Sequence, residues 1–257
     1  MELLERLVEL QKQRERAVLI TVVEARGSTP RKPGARMLIF PDGRTEGTVG
    51  GGKVEHVLRD AATRVLKTEN AELVHHNLTT ELAMCCGGQM TFFVEPLMTP
   101  PTLMVFGCGH VGGALVRIAA DLGFTLIGID DLEENTAPAR LPQLARVVSS
   151  YEPADLGDLP FGEDTYIVIA TREHAIDQRL LEFCLTKPCR YLGVIGSARK
   201  AHMQRERLAA KNVPAEQIAR ITCPMGADIG GETPAEIAVS ICAQLIQVRR
   251  GGGHRTP

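Results

Sequence analysis

The sequence has no tryptophan, and aromatic residues make up only 4% of its 257 positions. Few side chains are therefore available to stack on bases, as single-strand nucleic-acid platforms require. Charge is not skewed either: 29 basic and 31 acidic residues leave a formal net charge of −2, which gives no electrostatic footprint for a polyanion. No apolar run approaches the roughly eighteen residues of a spanning helix. The amino end, Met1-Glu2-Leu3-Leu4-Glu5-Arg6, is charged from its second residue and lacks the apolar core of a secretion signal. These absences predict a cytoplasmic protein with neither nucleic acid nor membrane among its partners. The seven cysteines are odd in number and irregularly spaced, which argues against a disulfide framework and for free thiols in a reducing compartment. There is no internal repeat.

A hydrophobic content of 44% is ample for ordinary cores, and the length lies between one large domain and two modest ones. Leu3, Leu4, Leu7, Val8 and Leu10 recur at helical spacing, predicting a helix over 2–15. The β-branched run from Val18 to Val23 predicts a strand, and Met37-Leu38-Ile39-Phe40 before Pro41-Asp42-Gly43 another. A short strand is expected up to Gly50, a helix over 53–67, and strands over 72–78 and 90–94. This half reads as α+β. Pro96, Pro100 and Pro101 make the segment 95–102 the best linker, so the expected domains are 1–98 and 102–250, with a disordered tail over 251–257.

Beyond the linker, apolar strands at 103–106, 125–130, 165–170 and 191–195 alternate with helical patterns at 111–122, 176–186 and 197–210. Continuous apolar strands alternating with helices predict a parallel sheet covered on both faces. Thr233-Pro234-Ala235-Glu236 announces a last helix through a capping box with proline in its first turn. The fold class is therefore α/β, a carboxyl-terminal Rossmann-like parallel-sheet domain preceded by a smaller α+β domain. Gly107-Cys108-Gly109-His110-Val111-Gly112 follows the first of these strands and opens a helix, and Asp130 closes the next strand about twenty residues on.

That arrangement predicts a phosphate cradle from Gly107, Gly109, His110 and Gly112, with Asp130 accepting from ribose hydroxyls of a nucleotide. The glycines serve equally well as tight strand-to-helix packing. Ser197, Arg199 and Lys200 add donors at a second helix start, unless they form a solvated first turn. His174 and Asp177 stand one helical turn apart, either holding each other's orientation or forming a polar face. Cys108 sits where a helix start stabilises thiolates, or is a small residue that fits. In the first half, Gly50, Gly51, Gly52 and Lys53 combine a strand end, a glycine triplet and a helix start, predicting exposed amides and one cation for an anion. The spacing of a P-loop is absent. Cys85-Cys86 cannot alone build a zinc site. The pair reads as a vicinal disulfide, as thiolates that hold a soft metal or carry sulfur, or as two buried small hydrophobes.

Taken together, Gly27-Ser28-Thr29-Pro30-Arg31, Gly34-Ala35-Arg36-Met37, Gly47 through Glu55, Cys85-Cys86-Gly87-Gly88, the Gly107 to Gly112 run, Gly193 through Lys200 and Pro224 through Glu236 resemble the XdhC/CoxI family of accessory proteins of xanthine dehydrogenase and related molybdenum hydroxylases. The resemblance spans about residues 5 to 248. It implies an amino-terminal XdhC/CoxI domain, a Rossmann domain and a homodimer. It further implies a non-catalytic chaperone in purine metabolism, with no catalytic residues of its own. Such a protein binds the molybdenum cofactor as cargo, shields it while a cysteine desulfurase installs a sulfido ligand, and inserts it into the apo-hydroxylase. Some relatives carry cysteine directly after the glycine run. Lys53 stands there in this sequence, so Cys85 or Cys86 becomes the candidate thiol, with Cys86 as the molybdenum ligand. The alternative is an oxidoreductase binding NAD(P) in the Rossmann crevice, with His174 or a cysteine doing proton or redox work; a regulatory nucleotide-binding module is a third class.

Overall fold

A computed structural model of the protein describes residues 3–13, 15–78, 88–97 and 99–251. The chain divides into two compact units, Met1–Thr99 and Pro100–Pro257. Among the described residues no helix is long and apolar enough to cross a membrane.

The first unit contains α1 (Leu3–Gln13), β1 (Ala17–Arg26), β2 (Arg36–Ile39), β3 (Thr45–Gly47), α2 (Gly52–Thr68), β4 (Glu72–Asn77) and β5 (Gln89–Leu97). The strands form one antiparallel sheet in the order β3-β2-β1-β5-β4. Alternation along β1 divides its side chains between two cores. Val18, Ile20 and Val22 pack with Phe92 and Val94 of β5 against the buried stripe Val54, Leu58, Ala61, Ala62 and Val65 of α2. Ala17 and Leu19 join Leu38 and Phe40 around Leu10 of α1. The α2 stripe lies on a single helical face, and each fully buried Val or Leu in it contributes roughly 1.5–3 kcal/mol.

One segment departs from its sequence reading. The proline-rich linker expected from residue 95 is strand as far as Leu97, with Val18 opposite Pro96 and Ala17 opposite Leu97. The β4 ladder stops at the Glu72–Val94 pair. Pro96 thus stands where β5 has become a local edge, the position in a sheet that tolerates a missing N–H.

The second unit runs β6 (Thr102–Phe106), α3 (His110–Ala120), β7 (Thr125–Ile129), α4 (Glu133–Thr136), β8 (Arg146–Val148), β9 (Gly162–Ile169), α5 (His174–Leu185), β10 (Cys189–Val194), α6 (Ala198–Ala210), α7 (Ala215–Ala219), β11 (Ile221–Thr222) and α8 (Pro234–Arg249). Its sheet is parallel throughout, in the order β11-β10-β9-β6-β7-β8. The chain winds outward from β6 to β8 and then returns to β9, so the order reverses between β6 and β9. This is the doubly wound Rossmann arrangement that the alternation predicts. Met104, Phe106, Ile167 and Ile169 face α5 and α6 in one core, while Leu103, Val105, Tyr166 and Val168 face α3 and α8 in the other. Burial on both faces is why these strands read as unbroken apolar runs. Thr233 and Glu236 form the expected capping box at α8.

Candidate functional site

The three glycines of the loop after β6 meet different surroundings. Gly107 has φ +94°, and a Cβ there would lie 2.3 Å from the carbonyl oxygen of Ala170. A Cβ on Gly112 would lie 1.8 Å from the Gly107 carbonyl oxygen. Both positions are consumed by strand-to-helix packing. Gly109, the N-cap of α3, has no atom within 4 Å of its Cβ position and makes no side-chain cap. The Cβ side of Gly109 at the positive end of α3 is therefore open, with His110 exposed beside it.

Asp130 has partners of its own. It is 2% exposed, and its carboxylate accepts from the Cys108 N–H (2.7 Å), the Leu132 N–H (3.0 Å) and the Asn135 amide (3.1 Å). Asp130 thereby fastens the glycine loop to the end of β7. Arg140 completes that fastening: its guanidinium donates to the carbonyls of Cys108 (2.8 Å), Gly109 (3.0 Å) and Asn135 (2.7 Å). Sequence reasoning missed Arg140 and Asn135. No motif or periodicity marks them, because their partners lie on the glycine loop and in the β7–β8 connection. Cys108 is fully buried, its Sγ packed beside Gly128. Burial, reinforced by the Asp130 charge, pushes its thiol up to about 12, so the thiolate reading fails and the small-residue reading holds.

On either side of β6, Arg172 after β9 pairs with Asp131 after β7. One of its two hydrogen bonds measures 2.7 Å, and the Arg172 guanidinium holds the Asp131 carboxyl below its ordinary range. A chain of contacts runs on from the loop towards β10. The Cβ position of Gly107 presses on Thr171. The Thr171 N–H and hydroxyl donate to Asp177 (2.9 and 2.7 Å). Asp177 Oδ2 faces His174 Nδ1 at 3.5 Å, and His174 Nε2 contacts the Lys200 ammonium. The structure thus brings His174, Asp177 and Lys200 together. Ser197 is the N-cap of α6, its hydroxyl accepting from the Lys200 N–H at 3.4 Å, and Arg199 is exposed.

In the first unit, three of the loops singled out in the sequence converge at one end of the sheet. A Cβ on Gly88 would lie 2.5 Å from the Arg26 carbonyl oxygen and 2.6 Å from that of Ser28, and one on Gly50 would lie 2.9 Å from Pro30. Gly51 and Gly52, with φ +74° and +48°, have open space around their Cβ positions. The anion at the start of α2 is the chain's own Glu55: its carboxylate accepts from the Gly51 N–H (3.0 Å) and the Thr48 hydroxyl (2.6 Å). That employment of the glycine triplet was not legible in its sequence, and Lys53 lies exposed beside it. Cys85 and Cys86 lie outside the described residues, within the segment that ends next to Gly88. Among the described residues no three His, Cys, Asp or Glu side chains gather as a metal site.

Comparison with known proteins agrees with this anatomy. Residues 103–245 match the XdhC Rossmann domain, and residues 10–77 match the XdhC and CoxI family. The chain is 34% identical over 233 residues to YqeB, an uncharacterized protein of Escherichia coli K12, covering 89% of this chain but 42% of that protein; it thus spans about two fifths of that relative's length. It is 26% identical over 320 residues to a Bacillus subtilis protein named as a probable xanthine dehydrogenase subunit, across 92% of this chain and 94% of the other. It is also 31% identical over 91 residues to the Escherichia coli molybdenum cofactor insertion chaperone PaoD, 34% of this chain and 29% of that one. A crystal structure described as a xanthine dehydrogenase from Bacillus halodurans shares the fold, with a TM-score of 0.53 at 22% identity over 100% of this chain and 98% of that one. With both parts matched in chain order, and the glycine loop in its Rossmann setting, the chain belongs to the XdhC and CoxI family.

Proposed function

We propose that the protein is an accessory factor of a xanthine dehydrogenase-type molybdenum hydroxylase, which binds the molybdenum cofactor, protects it during sulfuration by a cysteine desulfurase and inserts it into the apo-hydroxylase. The observation that carries the reading is the division of labour in the glycine loop. Gly107 and Gly112 are locked in packing, while Gly109 stays bare at the start of α3. A helix start left open at Gly109 suits a phosphate oxygen, and the pterin cargo carries a phosphate. The names borne by the Bacillus subtilis relative and by PaoD supply the client class and the cargo. On this reading Gly109 and His110 receive the phosphate end, Gly107 and Gly112 shape the loop that presents them, and His174, Ser197, Arg199 and Lys200 contribute donors from the neighbouring loops. Within the first unit, Gly50, Gly51, Gly52 and Lys53, with Cys85 and Cys86, are a separate candidate set, in which a thiolate suits a soft, sulfur-rich molybdenum centre. Asp130 acts through the loop it fastens.

The test is retention of purified molybdenum cofactor through gel filtration, read by absorbance, set against fluorescence enhancement of NADH. Retention by the wild-type chain, reduced in Cys86→Ala, is the expected result. Micromolar NADH binding without cofactor retention would overturn the reading in favour of an NAD(P)-dependent oxidoreductase.

A further inference from the structure

A cavity of about 310 Å³ opens at the carboxyl end of β10, between α5 and α6. Val194, Ile195, Cys223 and Met203 line it, and Lys200 and Arg207 bring nitrogen donors to it, with His174 beside Lys200. The acid in its lining is Asp177, which is 3% exposed and already accepts two hydrogen bonds from Thr171. With Lys200 and Arg207 against this one carboxylate, the formal charge of the lining is positive.

Two details show that this charge is available. His174 Nε2 contacts the Lys200 ammonium and its Nδ1 faces the Asp177 carboxylate. Lys200 is thus positioned by the imidazole, and among the described residues no carboxylate lies within ion-pair distance of its ammonium. Arg207, exposed on α6, has no carboxylate within ion-pair distance among the described residues. A fixed ammonium and an unpaired guanidinium match a dianion, and the guanidinium fork takes two oxygens of one group at once. The aliphatic lining and Met203 suit an apolar or planar body, since a thioether moulds itself to such a surface. The volume stands at the low end for ligand pockets, which limits that body to about one ring.

From this lining we infer that the β10 cavity binds a small phosphomonoester whose body is apolar or planar. The inference shares His174 and Lys200 with the proposed function, while Arg207, Met203 and the apolar lining belong to the cavity alone, so it holds whether or not the glycine loop carries the proposed cargo. The phosphomonoester is a separate small metabolite, since the cavity holds a body of about one ring.

Isothermal titration with phenyl phosphate and with inorganic phosphate tests it on the full chain. Phenyl phosphate is expected to bind more tightly than inorganic phosphate. Arg207→Met and Lys200→Met should each weaken it by about tenfold or more, the loss of one charge-assisted bond. Met203→Ser should weaken phenyl phosphate and leave inorganic phosphate unchanged. Gly109→Val, which fills the cradle at α3, should leave phenyl phosphate binding intact, so failure of the cargo reading and failure of this one are separable. The proposal is overturned if the double variant Lys200→Met/Arg207→Met binds phenyl phosphate as the wild type does while melting at the wild-type temperature. Equal affinity for the two phosphates, or loss of binding in Gly109→Val, overturns it as well.

Discussion

Gly109 and Gly112 belong to one six-residue run, yet alanine at the two positions should have opposite consequences. At Gly112 the new Cβ would come within 1.8 Å of the Gly107 carbonyl oxygen, where contacts under 3.0 Å essentially never occur. The two atoms must part by about 1.2 Å, and neither side can give cheaply. The Gly107 N–H is tied to the Ile129 carbonyl at 2.8 Å, and the Ala170 N–H to that of Phe106 at 2.8 Å, so the loop is pinned to its neighbours at the sheet end. Overpacking against fixed backbone costs typically 1–3 kcal/mol and occasionally more, and we expect about 3 kcal/mol for Gly112→Ala. For a unit of this size each kcal/mol moves the midpoint by about 2–4 °C, giving a fall of roughly 6–12 °C in the calorimetric transition of the second unit. Gly109→Ala meets no atom within 4 Å and should cost about 1 kcal/mol or less, the scale of an ordinary glycine-to-alanine exchange. Its effect should fall on ligand instead. Each charge-assisted hydrogen bond from a loop amide that the methyl group blocks is worth about 1.5–3 kcal/mol, a loss of roughly 10- to 150-fold in affinity for the phosphate-bearing cargo. Equal melting of the two variants, or a Gly109→Ala chain that melts lower than Gly112→Ala, would refute this division of labour.

Two further outcomes follow from burial and charge. Cys108, fully buried with its thiol pushed up to about 12, should resist iodoacetamide at mildly alkaline pH in the folded chain and react only on denaturation. Mass spectrometry that finds Cys108 modified in the native protein would contradict that placement. Glu46 accepts two hydrogen bonds of 2.9 Å from Arg6, which hold its carboxyl below the ordinary range. A depressed folded value means that the stabilisation is present above the unfolded value and lost as pH falls through the folded one. The melting gap between wild type and Glu46→Gln should therefore close in acid; a gap that persists below the carboxylate range would show that the pair acts through packing instead of charge.

Periodicity of two and 3.6, capping signals and turn residues were enough to place β6, α3, β7, β9, α5, β10, α6 and α8, because each carries its own pattern within one short window. The capping box at Thr233 was legible for the same reason. The two-residue β11, three-residue β8, four-residue α4 and five-residue α7 were not, being shorter than any window in which a period can be recognised. The family and the doubly wound class came from motifs in order and from alternation along the chain. What each residue of the site touches did not. Gly107, Gly109 and Gly112 are indistinguishable as letters; one became a candidate ligand cradle and two became packing only when Ala170 and the Gly107 carbonyl were brought against them. Asp130 carried the signature of a ribose acceptor and turned out to bind the Cys108 amide. Arg140 carried no signature, and Pro96 read as linker until β4 was found to end short of it. The His174–Lys200 contact joins residues 26 positions apart. Local patterns can be read from sequence because neighbours along the chain enforce them, whereas these roles depend on partners that only the sheet order and helix packing bring within reach.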